Sequence, residues 1–121
     1  MITDNYIKMC EQAEEIQKLK KGKNQFSNKD FVAYNFGQGL KVYICSEISR
    51  YWTFQDLIWL PTLEQLFDMV GKYKAQISRV FLSIMIMKKY KFNSIQELVI
   101  NAVMEIKYKK YWTGEKWEAI T

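Results

Sequence analysis

Histidine is absent from this chain of 121 residues. Its absence removes the commonest general base and the commonest neutral metal ligand. Ser-His-Asp and Cys-His catalysis and the His-containing zinc sites are excluded with it. Cysteine is scarce too. Cys10 and Cys45 are too few for a disulfide framework and cannot complete a structural zinc site by themselves. Neither stands in a context that signals a lowered pKa, so both are expected to be small buried hydrophobes. Arginine occurs only at Arg50 and Arg79. Bidentate recognition of phosphate or guanine is disfavoured accordingly. No apolar stretch reaches the roughly 18 residues needed to span a bilayer. The longest, residues 80–87, has the length of a core helix segment. No basic segment followed by an apolar one opens the sequence, so no signal peptide, no membrane partner and a cytoplasmic setting are expected.

What is present suits one folded domain over residues 1–121. Hydrophobic residues make up 49% and charged residues 26%, a balance that argues against long disorder. The length allows a core without disulfides. Net charge is +5, which can point to nucleic acid or an acidic partner. A duller cause competes with it. The chain is rich in Lys, Ile, Asn, Tyr and Phe and has one proline and five glycines, the pattern that AT-rich codons leave.

The one proline marks the organising stretch. Residues 57–60 are apolar and suit a buried strand. Pro61 stops the strand. Thr62 and Gln65 then form a capping box, with Leu60 and Leu66 placed as a staple. Leu63, Leu66, Phe67 and Val70 follow on one helical face. Before this junction, Thr3 or Asp4 caps a helix expected to reach about Lys20, with Tyr6, Met9, Cys10, Ala13 and Ile16 buried. Residues 31–34 and 40–45 read as a hairpin across a turn with Gly37 and Gly39. After the junction, residues 73–90 read as a helix broad enough in its apolar belt to be central or to meet another copy. Ser94 and Glu97 suggest a second capping box. It would open a helix that buries Ile95, Leu98, Val99, Ala102 and Ile106. Thr113-Gly114 is a turn able to fold one tryptophan of the tail towards the other. The expected fold class is α+β, a small three-stranded antiparallel sheet packed against about four helices.

Three stretches taken together resemble a known family. They are Tyr6-Ile7-Lys8-Met9-Cys10-Glu11-Gln12-Ala13-Glu14-Glu15-Ile16-Gln17, Ile58-Trp59-Leu60-Pro61-Thr62-Leu63-Glu64-Gln65-Leu66 and Tyr108-Lys109-Lys110-Tyr111-Trp112-Thr113-Gly114-Glu115-Lys116-Trp117. Their order and spacing are similar to those of a family of small uncharacterised phage and prophage proteins of Firmicutes. The chain departs from that pattern after the first helix, where Lys20 opens a lysine-rich stretch. The resemblance carries over no catalytic or ligand residues. It implies a phage accessory protein in the cytoplasm of a bacterial host, acting on host machinery or host defence.

Three functional readings follow. The first is a non-enzymatic binder of a host or phage protein, for example an anti-defence or anti-CRISPR inhibitor. Arg50, Tyr51 and Trp52 supply its interface composition. The second is a nucleic-acid-associated accessory protein. Lys88, Lys89 and Lys91 would join Lys107, Lys109 and Lys110, with Tyr90 and Trp112 available to stack, and Trp117 of the same tail is a further candidate contact residue. The third is a nucleotide sponge built at a homo-oligomer contact, for which no pocket is marked. An enzyme is the least favoured class. Glu11, Glu14, Glu15, Glu64 and Asp68 recur at the spacing of solvated helix faces, and no catalytic pair stands out. No cofactor is implied.

Overall fold

The proline junction builds the middle of the molecule as its residues dictate. In the computed structural model, which describes residues 2–20, 26–27, 29–35, 37, 39–47, 57–71 and 92–120, strand Ile58–Leu60 ends at Pro61 and a helix starts at Leu63. The Thr62 hydroxyl accepts from the Gln65 amide, and the Gln65 side chain accepts from the Thr62 amide at 2.9 Å. Both halves of the capping box are therefore made, and two helix-end donors are satisfied. Leu60, Leu66 and Val70 are buried in the common core.

In chain order the elements are α1 (Asp4–Gln12), α2 (Glu14–Gln17), β1 (Phe31–Asn35), β2 (Leu40–Ile44), β3 (Ile58–Leu60), α3 (Leu63–Val70), α4 (Ile95–Tyr108), β4 (Lys110–Trp112) and β5 (Trp117–Ala119). Short 3-10 turns follow α2 and β2, at Lys18–Lys20 and Cys45–Glu47. Strands β2, β1 and β3 form an antiparallel sheet in that order. The fold is α+β, and its three-stranded sheet is the one expected. No helix among the described residues is long and apolar enough to cross a membrane. The helix expected over residues 73–90 lies outside the described residues.

The β1–β2 turn is held by one side chain. Asn35 Oδ1 accepts from the amides of Gly37 and Gly39, and both glycines have positive φ, a backbone that other residues adopt at a cost. Across α1 and α2 the expected apolar face is the buried one: Tyr6, Met9, Cys10, Ala13 and Ile16 are all inaccessible. Met9 and Ile16 among them each contribute about 1.5–3 kcal/mol when moved from water to the core.

Four local expectations are corrected. The first helix does not run unbroken to Lys20, because the chain leaves helical geometry at Ala13 (φ −83°, ψ 76°). Carbonyls beside this break take side-chain donors from afar: Cys10 O accepts from Gln17 Nε2, and Met9 O from Trp117 Nε1, both at 2.9 Å. In α4 the buried stripe is only partly the one expected: Val99, Ala102 and Ile106 are buried as expected, but Leu98 is half-buried. Ile95 is 63% exposed, while Ile100, Val103 and Met104 are buried. The helix meets α1, α3 and β4, so more than one of its faces is covered. The Ser94–Glu97 box is only half made. Ser94 Oγ accepts from the Glu97 amide, but the Glu97 carboxylate turns to the Asn93 amide, Asn5 Nδ2 and the Thr3 hydroxyl. Thr3 also caps α1, so this buried carboxylate serves two positive helix ends at once. Finally, Cys45 lies in a turn and is half-buried, whereas Cys10 is buried as expected.

Candidate functional site

The two outer strands of the sheet differ in what meets their free backbone edge. At β3 the Trp59 amide donates to Gln17 Oε1 at 2.8 Å, and the Trp59 carbonyl accepts from Gln17 Nε2 at 2.9 Å. The side-chain amide of Gln17 thus stands in for one residue of a fourth strand. Gln17 is 7% exposed, so the pairing is sheltered from water. Lys20 closes the same side, with its Nζ 5.0 Å from the centre of the Trp59 ring and 3.0 Å from Asp30 Oδ2. Asp30 also accepts from the Ser27 amide and from Gln65 Nε2. Burial pushes its carboxyl up, but the Ser27 amide, Gln65 and Lys20 outweigh burial and hold it below the usual carboxylate range.

At β2 the opposite holds. Strand partners alternate between pointing their N–H and C=O to one neighbour and to the other. The Cys45 amide donates to Asp30 O, which continues the β1 side of the ladder, while the Ile44 amide points away and donates to Glu47 Oε1 at 2.9 Å. By alternation the backbone groups of Leu40 and Val42 also point outward. Among the described residues nothing bonds to them. Their side chains are 48% and 38% exposed. They lie on the sheet face shared by Phe31, Ala33, Ile58 and Leu60, as the register shows. Lys41 and Tyr43 stand on the other face. The edge therefore offers backbone donors and acceptors together with two accessible apolar side chains, and Glu47 covers only its Ile44 end.

The residues singled out in the sequence separate on this frame. Arg50, Tyr51, Trp52, Lys88, Lys89, Tyr90 and Lys91 lie outside the described residues. Lys109, Lys110, Trp112 and Trp117 lie on the β4–β5 hairpin or at its start, and these strands were not expected. Trp112 is no surface stacking residue: it is 2% exposed, and its ring centre lies 5.1 Å from that of Trp117. Its amide donates to the Asn101 side chain of α4, which fixes β4 on that helix. The turn at Thr113-Gly114 does bring the two tryptophans together. Trp117 is half-buried and bonded to Met9 O. Lys110 pairs with Glu15 at 2.6 Å. Burial would raise the Glu15 carboxyl, but Lys110 and the local backbone hold it below its usual range. Lys109 is exposed, ends α4 in a left-handed conformation (φ 56°, ψ 47°) and turns its Nζ to Ile106 O.

Of the remaining polar groups of the interior, the indole N–H groups of Trp59 and Trp112 find no hydrogen-bond partner among the described residues, whereas Tyr6 and Cys10 are held within the core. Burial pushes the Cys10 thiol far above its ordinary range, with only partial offset from the Tyr6 hydroxyl, so it stays protonated. The Tyr6 hydroxyl donates to Pro61 O at 2.5 Å. Burial and the neighbouring Asp30 charge raise the Cys45 thiol. No group of three or more His, Cys, Asp or Glu among the described residues is arranged to hold a metal ion. Sequence reading missed the open β2 edge. Its signal was the exposed alternation of residues 40–44 beside Glu47, which reads as an ordinary hairpin strand. No protein-family model, no curated protein and no solved structure matches this chain.

Proposed function

We propose that this chain is a non-enzymatic binding protein of phage origin that acts on a host or phage protein and takes its partner along the β2 edge. The observation that carries the reading is the outward set of Leu40 and Val42 backbone groups, unbonded among the described residues and flanked by exposed apolar side chains. An extended segment of another polypeptide can pair with such an edge as an added strand, with backbone bonds giving affinity and side-chain contacts giving selectivity. The phage-like resemblance suggests the setting, of which inhibition of a host defence system is one instance. The nucleic-acid alternative draws less support. Of its described contributors Trp112 is buried and Lys110 is paired with Glu15.

The test compares the wild-type chain with Val42→Pro as bait in host and phage-infected lysates. Proline removes the outward N–H of Val42 and leaves the ladder to β1 intact, since that amide does not serve it. A discrete protein retained by wild type and lost with the variant, at an unchanged circular dichroism spectrum, is the expected result. Retention of nothing above background, or retention indifferent to the edge, defeats the reading. Salt-sensitive binding to DNA or RNA in a gel shift would put the alternative first.

A further inference from the structure

We infer that in the free protein the β2 edge is occupied by a second copy of this chain, β2 against β2, about a two-fold axis through Val42. The inference rests on the reading of β2 as the recognition edge and names the strand it meets when no other is offered. Its ground is the self-complementarity of Leu40–Ile44. A two-fold contact must pair residue i with j and j with i. Antiparallel pairing centred on Val42 sets Val42 against Val42, Leu40 against Ile44 and Lys41 against Tyr43. Apolar side chains thus meet apolar ones on one face. On the other, each ammonium meets an aromatic ring of the second copy and not another lysine.

Backbone direction agrees with this register. Leu40, Val42 and Ile44 are the residues whose N–H and C=O point away from β1, as the Ile44 bond to Glu47 and the Cys45 bond to Asp30 establish. Val42 and its symmetry mate then exchange two bonds at the axis. Each Leu40 amide reaches the Ile44 carbonyl of the other copy. Lys41 and Tyr43 fall at the closer, non-bonded positions, where side chains interact most. Glu47 already holds the Ile44 amide, so it limits the ladder at both ends and keeps the pairing short. The product is a six-stranded sheet, a common size. The exposed Leu40 and Val42 would then lie in the middle of a continuous apolar face.

A short ladder makes a weak, reversible dimer, so the experiment reads concentration dependence. Sedimentation velocity of the full chain from low micromolar to millimolar concentration should show a monomer–dimer equilibrium. Val42→Pro, and Val42→Lys with two ammonium groups facing across the axis, should each weaken it at least tenfold. Glu47→Ala, which frees another amide, should tighten it. Register is read in a Cys45→Ser background with a short thiol cross-linker. Val42→Cys should link to itself, since paired Cα atoms there stand roughly 5.5 Å apart, and Leu40→Cys should not. If a substitution unfolds the chain, amide exchange in the wild type decides, because protection of the Val42 amide must rise with concentration. A monomer throughout the range, a dimer indifferent to the edge variants, or equal cross-linking at both positions overturns the inference. A monomer that still captures a host protein through β2 leaves the binding reading standing. A β2 dimer that captures nothing defeats that reading alone.

Discussion

The two outer strands of one small sheet have been finished in opposite ways. At β3 a glutamine from 42 positions away supplies both a donor and an acceptor to Trp59, and a lysine covers the indole. At β2 Glu47 holds one amide, and among the described residues nothing bonds to the outward backbone groups of Leu40 and Val42, whose side chains are exposed. Proteins ordinarily blunt exposed edges, because an unpaired row of N–H and C=O groups recruits other strands. Among the described residues the outward groups of Trp59 are paired and those of Leu40 and Val42 are not, so an added strand would be favoured at β2. The difference teaches where to look for function. It directs the proposed binding role to the β2 edge, since the buried polar side chains Gln17, Asp30, Glu97 and Asn101 are engaged within the fold.

The contrast is broken most severely by Gln17→Ala. It leaves the Trp59 amide and carbonyl and the Cys10 carbonyl without their Gln17 partner. A loss of about 2–4 kcal/mol is expected, from roughly 1–3 kcal/mol per unsatisfied buried group and incomplete additivity. Urea unfolding measures it. The same variant should raise the exchange rate of the Trp59 amide towards that of Val42 in the monomer, erasing the difference between the two edges.

Asp30→Asn tests the salt bridge that holds Lys20 beside β3. A loss of about 1–2 kcal/mol at neutral pH is expected for a charge-assisted bond set. Because the folded carboxyl is held below its unfolded value of about 3.9, its contribution is complete above that pH. It disappears as pH falls through the folded value. Wild type and variant should therefore converge in thermal melts under strong acid, and a difference that persists there would assign the effect to packing.

Lys109→Gly touches neither edge of the main sheet and calibrates the scale. Relief of the left-handed backbone should raise stability by about 0.5–1 kcal/mol, less the bond to Ile106 O. Smallest of all, Val42→Thr on the open edge should change monomer stability by no more than about 0.5 kcal/mol. A larger loss would mean that β2 is already covered.

Much of the frame was legible in order of residues. The face of α1, the Pro61-Thr62-Gln65 junction, the glycine turn after β1 and the β1–β2 hairpin depend on neighbours within about one helical turn or one hairpin, while β3 was marked by its apolar run although its partners on β1 lie 25 to 29 positions away. Gln17 escaped notice because a glutamine on an amphipathic helix ordinarily faces water. Glu97 was read as half of a local box because its spacing from Ser94 fits one. Trp112 was placed on the surface because lysines precede it.

Sequence by itself determined the local geometry here: where helices begin, where strands stop, and which face of the first helix avoids water. Tertiary structure alone decided that Gln17 seals β3, that one carboxylate serves the starts of α1 and α4, and that no described residue pairs with the outward groups of Leu40 and Val42. The physical reason is range. Capping and periodicity act between residues a few positions apart, whereas a buried polar group is satisfied by whatever partner folding brings to it, here 42 residues away for Gln17 and 94 for Glu97.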